Sequence, residues 1–389
     1  MENNDHQNFC IGVVGGGQLA QMLAKAGKKL GVDLIVQTRS ENDPAVQNAN
    51  GLVLSDTNDI NGTRQLAQKT SCITFENEWV DIEGLSLLED SGVTFIPKLS
   101  AMSPLINKLS QRKLLKKLNI PGPEWLSLSS FKISDLKLEA NWKFPLMAKS
   151  SFGGYDGKGT MVINDFSDLK TLLQQVNPKQ WFLEKWINYD KELSLVVSRD
   201  LFGEVRTFPL VETFQTNQIC NWVLAPADVI HPVIAMANNI AISLVRELNY
   251  TGVLAIEFFY GNDGLLVNEI APRTHNSAHL SIEACASSQF EHQIAIAARK
   301  PVKSTELIAP GAIMVNLLGF KDSENIVERR LQLLKKINGV NLHWYNKENN
   351  IPGRKLGHVT KLLSSIDIKQ RRNEALQVLN QIRSIWPMT

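Results

Sequence analysis

The sequence predicts an α/β domain with an open parallel sheet, followed by a larger α+β region and a small C-terminal domain. Three observations carry this. Five short apolar runs bounded by turn residues fill the first hundred positions: CIGVV (10–14), DLIVQT (33–38), GLVLSD (51–56), SCITF (71–75) and VTFI (93–96). Between the first two, Leu19, Met22, Leu23, Ala26 and Leu30 recur at helical spacing, and strands alternating with helices imply a parallel sheet covered on both faces. Beyond residue 104, strand-like runs are joined by turns short enough for antiparallel pairing.

Taken in order, the pattern changes across 97–104, and 105–118 reads as a basic amphipathic helix ending before the turn NIPGP (119–123). PLMAKS (145–150), TMVI (160–163), WFLEKWI (181–187), ELSLVVS (192–198), VRTFPLVETF (205–214), VLAIEFFY (253–260) and LLVNEI (265–270) read as strands. Helical patterns cover 231–248 and 279–299. The tail holds a strand-like GAIMVNLLG (311–319), a turn-rich YNKENNIPGRKLGH (345–358), and a last helix with Leu376, Leu379, Ile382 and Trp386 on one face. A chain of 389 residues exceeds one compact core of usual size, so the expected division is 1–104, 105–300 and 301–389.

A formal net charge of +2, with basic residues scattered, gives no reason to expect nucleic acid or a membrane surface as partner. The opening MENNDHQNF lacks the basic region of a secretory signal, and no run of about 18 apolar residues exists to span a bilayer. Cys10, Cys72, Cys220 and Cys285 lie far apart with no CxxC pair, which fits reduced thiols. The expectation is a cytoplasmic protein.

Two glycine runs compete for a phosphate. In GVVGGGQLAQ (12–21), Gly15, Gly17 and Ala20 match G-x-G-x-x-G/A after a strand and before a helix, where a dinucleotide pyrophosphate can sit. The second strand, however, ends in Gln37, Thr38 and Arg39, with no acid for a ribose, which disfavours NAD. Two readings stay open beside it: a tight turn that needs glycine whatever it binds, and a helix N-terminus receiving a mononucleotide phosphate.

The second run, KSSFGGYDGKG (149–159), lies between two strands, which excludes a Walker-type loop opening a helix. It is either an ordinary hairpin loop or a lid whose backbone N–H groups and lysines cover nucleotide phosphates. A hairpin a hundred residues on bears on the choice. In LAIEFFYGNDGLLVNEIAPR (254–273), a three-residue loop of Asn262, Asp263 and Gly264 would set Glu257 and Glu269 opposite each other; a two-residue loop would point them to opposite faces. Facing carboxylates ask for a cation, and magnesium carrying ATP phosphates suits them.

Lysine, glycine lid, the strand EKWI, a downstream Glu192 and paired glutamates on a hairpin follow the order seen in ATP-grasp enzymes, which join a carboxylate to a nucleophile through an acyl phosphate. The chain resembles these over nearly its whole length, including the preceding Rossmann-like domain. Within them GGGQLAQM (15–22), FGGYDGKG (152–159), NEIAPRTHNSAH (268–279) and PGRKLGHVT (352–360) are similar to the N5-carboxyaminoimidazole ribonucleotide synthases of purine synthesis. The resemblance implies an ATP-grasp domain at 105–300, with a lid at about 119–180 and a metal-bearing sheet at about 181–300. It also implies a homodimer that uses ATP, Mg2+, bicarbonate and 5-aminoimidazole ribonucleotide.

By the same resemblance Lys108 and Lys149 hold ATP phosphates, and Gly154, Tyr155, Asp156, Gly157, Lys158, Gly159 and Thr160 belong to the lid over them. Glu184, Lys185, Trp186 and Ile187 present a strand edge to adenine, Glu192 accepts the ribose hydroxyls, and Glu257 and Glu269, with Asn268, carry magnesium. Tyr155, Asp156, Arg273, His275 and Asn276 surround the ribonucleotide and bicarbonate. Lys347 and Arg354, with Gly17, Gln18 and Leu19, receive the 5'-phosphate. Asp156, Arg273, His275 and Lys347 are the candidates for the chemical step.

Four positions depart from the family pattern: Lys108 where arginine is common, Gln215 where a histidine is frequent, Thr274 where a proline is usual, and Ile351 where the tail often has arginine. The alternatives are another ATP-grasp ligase, such as a formate-using glycinamide ribonucleotide transformylase, a nicotinamide-dependent oxidoreductase, or a nucleotide-binding regulator without turnover.

Overall fold

The computed structural model describes residues 9–131, 137–153, 159–320, 324–348 and 351–388. Strands β1 (Cys10–Val14), β2 (Asp33–Thr38), β3 (Gly51–Leu54) and β4 (Cys72–Phe75) form a parallel sheet in the order β3-β2-β1-β4. The fifth expected strand, 93–96, contributes a single bridge from Phe95 to Ile73. Ile96 N donates to Ile73 O at 2.9 Å, and Pro97, having no N–H, cannot extend the ladder.

The helix Gln18–Leu30 leaves β1 through Gly15, Gly16 and Gly17. Gly15 has φ +126°, and a Cβ there or on Gly17 would lie 2.4 or 2.5 Å from atoms of Glu76. A Cβ on Gly16 would meet Thr38 Oγ1 at 2.4 Å. Gly15 and Gly16 are therefore required by the close approach of the ends of β4 and β2, whatever the turn binds, while a Cβ on Gly17 would push against the Glu76 carboxylate alone.

A second, antiparallel sheet contains β5 (Trp125–Ser127), β6 (Leu146–Ser150), β7 (Thr160–Ile163) and β8 (Trp181–Lys185) in the order β5-β8-β6-β7. Its apolar face, including Leu146, Ala148, Ile163 and Leu183, is covered by Leu169, Leu172 and Leu173 of the helix Phe166–Gln175. Pairing of β6 with β7 frames the glycine loop between two strands, as expected.

The third sheet is antiparallel and has nine strands. They are β9 (Lys191–Arg199), β10 (Val205–Thr207), β11 (Val211–Thr216), β12 (Ile219–Ala225), β13 (Gly252–Gly261), β14 (Gly264–Ala271), β15 (Gly311–Leu318), β16 (Val340–Trp344) and β17 (Lys355–Leu363). Their order is β14-β13-β9-β11-β12-β15-β17-β16, with β10 beside β9. The expected single strand 205–214 is two, both on one edge of β9, because Pro209 cannot donate between them. Through the pairing of Trp222 with Val315 this sheet runs on into the tail, so the boundary expected near residue 300 is a break in sequence pattern and not in the sheet.

Four other segments differ from expectation. The helix expected over 105–118 begins at Lys108, where the Asn107 side chain accepts from Ser110 N as an N-cap. The helix expected over 279–299 is split into Ser281–Ala284 and Gln289–Ala297, since Ser288 and Glu291 form a capping box that starts the second piece. The end of the turn-rich 345–358 already belongs to β17. In the last helix, Ile368–Ile385, the buried face is Ala375, Val378 and Ile382 with Trp386 beyond its end, while Leu376 is 39 % exposed. No helix among the described residues is long and apolar enough to cross a membrane.

Candidate active site

The hairpin of β13 and β14 turns through two residues, since Gly261 pairs with Gly264, which is the alternative that would point Glu257 and Glu269 to opposite faces. Gly264 nevertheless takes φ +84°. In that register Glu257 would oppose Asn268. Instead Asn268 bulges, the pairing steps from Phe258–Val267 to Glu257–Glu269, and the two carboxylates oppose each other after all. Burial, and then the charge of Glu269, raise the Glu257 carboxyl to about 7. Lys108 Nζ lies 3.1 Å from Glu269 Oε2, and Asn268 Nδ2 is 3.5 Å from Glu257 Oε2.

Behind this pair lies a buried ionic anchor. Lys149 Nζ, on β6, donates to Asn268 Oδ1 at 3.2 Å and pairs with Glu184 Oε2 at 2.7 Å. Glu184 is 2 % exposed and also binds Arg112 Nε. Arg112 in turn donates to Val267 O at 3.2 Å and Asn268 O at 2.6 Å, holding the bulge from beneath. Burial lowers the Lys149 pKa against the opposing pull of Glu184. For Glu184 burial acts to raise the pKa, but Arg112 and Lys149 hold it below the ordinary value.

This revises the expected role of residues 184–187. Strand β8 is flanked by β5 and β6 as far as Lys185, so its edges are already paired there. The backbone available to a purine is that of Trp186 and Ile187, beyond the end of the strand. The Lys185 side chain pairs with Glu124 at 2.7 Å, and Trp186 Nε1 donates to Asn188 Oδ1 at 3.1 Å.

Glu192, on β9, is the register partner of Phe259, two residues along β13 from Glu257 and on the same face. It accepts from the Tyr189 hydroxyl at 2.5 Å, and burial raises its pKa. His275 approaches the face from the far end of β14. Its Nδ1 lies 2.9 Å from Ser277 Oγ and 3.4 Å from Ser277 N, and its Nε2 faces Glu257 Oε1 at 3.4 Å. Burial, followed by Arg273 and Lys355, lowers His275 to about 3, so the ring is neutral and this contact is not an ion pair.

Arg273 reaches the first domain, where its Nε donates to Glu78 Oε2 at 2.5 Å. Burial works to raise Glu78, yet the arginine holds its carboxyl below the ordinary value. Among the described residues no three His, Cys, Asp or Glu side chains are grouped to hold a metal on their own. Two opposed carboxylates beside two lysines instead suit a hard cation that takes its other ligands from phosphate and water. A depression of about 450 Å3 lined by Arg206, Thr207, Ser304, Thr305 and Glu306 involves none of these residues.

Comparison with known proteins bears on the same constellation. Residues 9–104 match the ribonucleotide synthetase preATP-grasp domain, 113–290 the ATP-grasp domain, and 312–372 the phosphoribosylaminoimidazole carboxylase C-terminal domain. The chain is 44% identical to the N5-carboxyaminoimidazole ribonucleotide synthase of Synechococcus elongatus over 377 residues, covering 97% of this chain and 95% of that one. The chain belongs to the N5-carboxyaminoimidazole ribonucleotide synthase family.

Two solved structures of the Aspergillus clavatus enzyme resemble it closely. One, complexed with ATP, is 30% identical with a TM-score of 0.87; the other, with ADP and 5-aminoimidazole ribonucleotide, is 29% identical with the same TM-score. Each alignment covers 97% of this chain and 99% of the other.

At the turn after β1, where the resemblance puts the ribonucleotide phosphate, this member of the synthase family brings together residues far apart in sequence. Lys347 Nζ donates to Gln18 Oε1 at 2.6 Å and Lys355 O at 2.8 Å. The N–H groups of Gly17 and Leu19, expected to receive phosphate, instead donate to Glu76 at 2.7 and 3.0 Å. The reason is topological: β4 lies beside β1, so the residue after β4 meets the turn after β1. Asn276, expected at the substrate, exchanges amide hydrogen bonds with buried Asn316 at 3.1 and 2.8 Å. Arg354 donates to Glu348 O.

The expected lid residues Gly154, Tyr155, Asp156, Gly157 and Lys158 lie outside the described residues. Gly159 has φ +77°, and Thr160 Oγ1 donates to Gln218 Oε1 at 3.3 Å. Sequence reasoning missed Glu76, Glu78, Arg112 and Lys355. Two of these were detectable: glutamates just past the carboxyl end of a parallel strand stand where such sheets bind ligands.

Proposed function

We propose that the chain uses ATP and bicarbonate to carboxylate 5-aminoimidazole ribonucleotide, giving N5-carboxyaminoimidazole ribonucleotide in purine synthesis. The observation that carries this reading is the opposed pair Glu257 and Glu269, with Lys108, Lys149 and Asn268 on one side and His275 on the other. A bicarbonate oxygen takes the γ-phosphoryl group, releasing ADP and forming carboxyphosphate. The exocyclic amine then bonds to the carboxyl carbon, directly or after release of CO2; phosphate departs and the amine gives up a proton.

Glu257 and Glu269, assisted by Asn268, would hold Mg2+, which supplies neutralising charge to the phosphates. Lys108 and Lys149 line up transferring and non-transferring oxygens, since phosphoryl transfer depends mostly on positioning and charge. Neutral His275 presents its Nε2 to the cleft, and Arg273, fixed by Glu78, supplies positive charge for a bicarbonate oxygen. Glu76 already bonds the helix N–H groups, so a ribonucleotide phosphate there draws its charge from Lys347 and Arg354. The enzyme acts as a cytoplasmic homodimer.

ADP release measured with each component omitted in turn tests this. Full rate should need both bicarbonate and the aminoimidazole ribonucleotide; strict dependence on formate would overturn it in favour of a transformylase. NADH should show no saturable binding.

A further inference from the structure

The helix Gln289–Ala297 is buried along its whole length and carries two glutamines one turn apart, neither of which is placed in the site above. Gln289, 0 % exposed, brackets the backbone of one residue. Its Oε1 accepts from His275 N at 2.8 Å, and its Nε2 donates to His275 O at 2.6 Å, with His279 Nδ1 at 3.4 Å from the same Nε2. Gln293 does the equivalent between domains: its Oε1 accepts from Val253 N at 2.7 Å on β13, and its Nε2 donates to Thr74 Oγ1 at 2.9 Å on β4.

The helix is thus a shared reference. Val253 is the second residue of the strand that carries Glu257, and β4 runs directly into Glu76 and Glu78. At its N-terminus the capping-box residue Glu291 pairs with Lys29 of the first helix at 2.8 Å. His275 itself lies past the end of β14, with φ −132° and ψ 151°, so no ladder fixes it. A side-chain amide that binds both the N–H and the C=O of a residue replaces a rung of such a ladder.

We propose that Gln289 is a positioning residue for carboxyl transfer: it holds the His275 backbone so that Nε2 stays directed at Glu257 and the reacting groups. This rests on the reading that His275 acts at that step.

The test compares wild type, Q289L, Q289E, H275A and the H275A/Q289L double variant. Each is assayed for carboxylated product formation, magnesium-ATP affinity and thermal melting. Q289L removes both bonds at similar volume; Q289E keeps the acceptor for His275 N and loses the donor to His275 O. The expected result is a fall in kcat of about tenfold or more in Q289L with ATP affinity within about twofold, an intermediate value for Q289E, and almost no further loss when Q289L is added to H275A. Parallel loss of ATP affinity, or the same factor on the H275A background, would overturn the proposal. Should Q289L not fold, Q289E alone and combined with H275A decides by the same comparison. A near-normal H275A would instead overturn the assignment of His275 on which the proposal rests.

Discussion

Glu257 and Glu269 stand opposite one another across β13 and β14 because Asn268 bulges out of the ladder between them. Without the bulge the period of two would send their side chains to different faces. The bulge also turns Asn268 toward Glu257 and Lys149, and Arg112 holds its carbonyl. A local defect in the ladder thereby assembles the charged face.

Replacing one carboxylate should stop the chemistry without unfolding the protein. For Glu269→Gln we expect turnover to fall by about 100-fold or more, a loss of order 3 kcal/mol in transition-state stabilisation. The melting temperature should stay nearly unchanged, because the Lys108–Glu269 pair is partly solvated. Near-normal turnover would remove Glu269 from the metal site.

Glu257 should make nucleotide binding pH-dependent. Its carboxyl, raised to about 7, is protonated below that pH, and the cation must displace the proton. Magnesium-ATP affinity should therefore rise from pH 6 toward 7 and level off above it, as titration calorimetry across this range would register. Glu257→Gln should abolish the slope. His275→Ala should retain it, since that ring, lowered to about 3, is neutral throughout. The same shift has a consequence for metal-free folding: the folded protein keeps a proton that the unfolded chain releases, so this contribution to stability is complete below the ordinary glutamate pKa and is lost as pH rises through about 7.

Glu184 should matter to the fold as much as to the site. Removing it leaves Arg112 and Lys149 as buried cations without their shared partner. Glu184→Ala should destabilise by about 3–5 kcal/mol, read as a lowered midpoint in urea unfolding. A change below about 1 kcal/mol would place this network in solvent contact.

Gly17→Ala probes the turn proposed to face the ribonucleotide. The added Cβ would lie 2.5 Å from Glu76 Oε1 and force that carboxylate off the Gly17 and Leu19 N–H groups. Saturation kinetics should show the KM for aminoimidazole ribonucleotide raised about tenfold, worth about 1.4 kcal/mol, with ATP affinity intact. An unchanged KM would detach this turn from substrate binding.

Several of these features were legible along the chain. The apolar runs at 10–14, 33–38, 51–56 and 71–75 became parallel strands because each is short, β-rich and bounded by turn residues. Lys149, Asn268 and Glu269 were nameable because their motifs are local. Elsewhere the deciding feature lay beyond the local pattern: a bulge at Asn268 paired Glu257 with Glu269 across a two-residue turn, and the carboxylate just past β4 took the helix N-terminus where a phosphate was expected. Gln289 gave no signal, since a glutamine in a buried helix looks like any other until the backbone it brackets is known.

By itself the sequence determined which chemistry is available: paired acids, lysines beside them, two glycine turns, and the succession of a parallel sheet and antiparallel sheets. These follow from residue type and short-range periodicity, which depend on neighbours a few positions away. Only the tertiary structure decided which groups meet. It matched Glu76 to the first helix, Glu78 to Arg273, Glu184 to Lys149 and Lys347 to Gln18, pairs separated by about 35 to 330 residues. Such contacts depend on strand order and on one bulge, which no local pattern encodes, because a ladder's register is set by the whole face it buries.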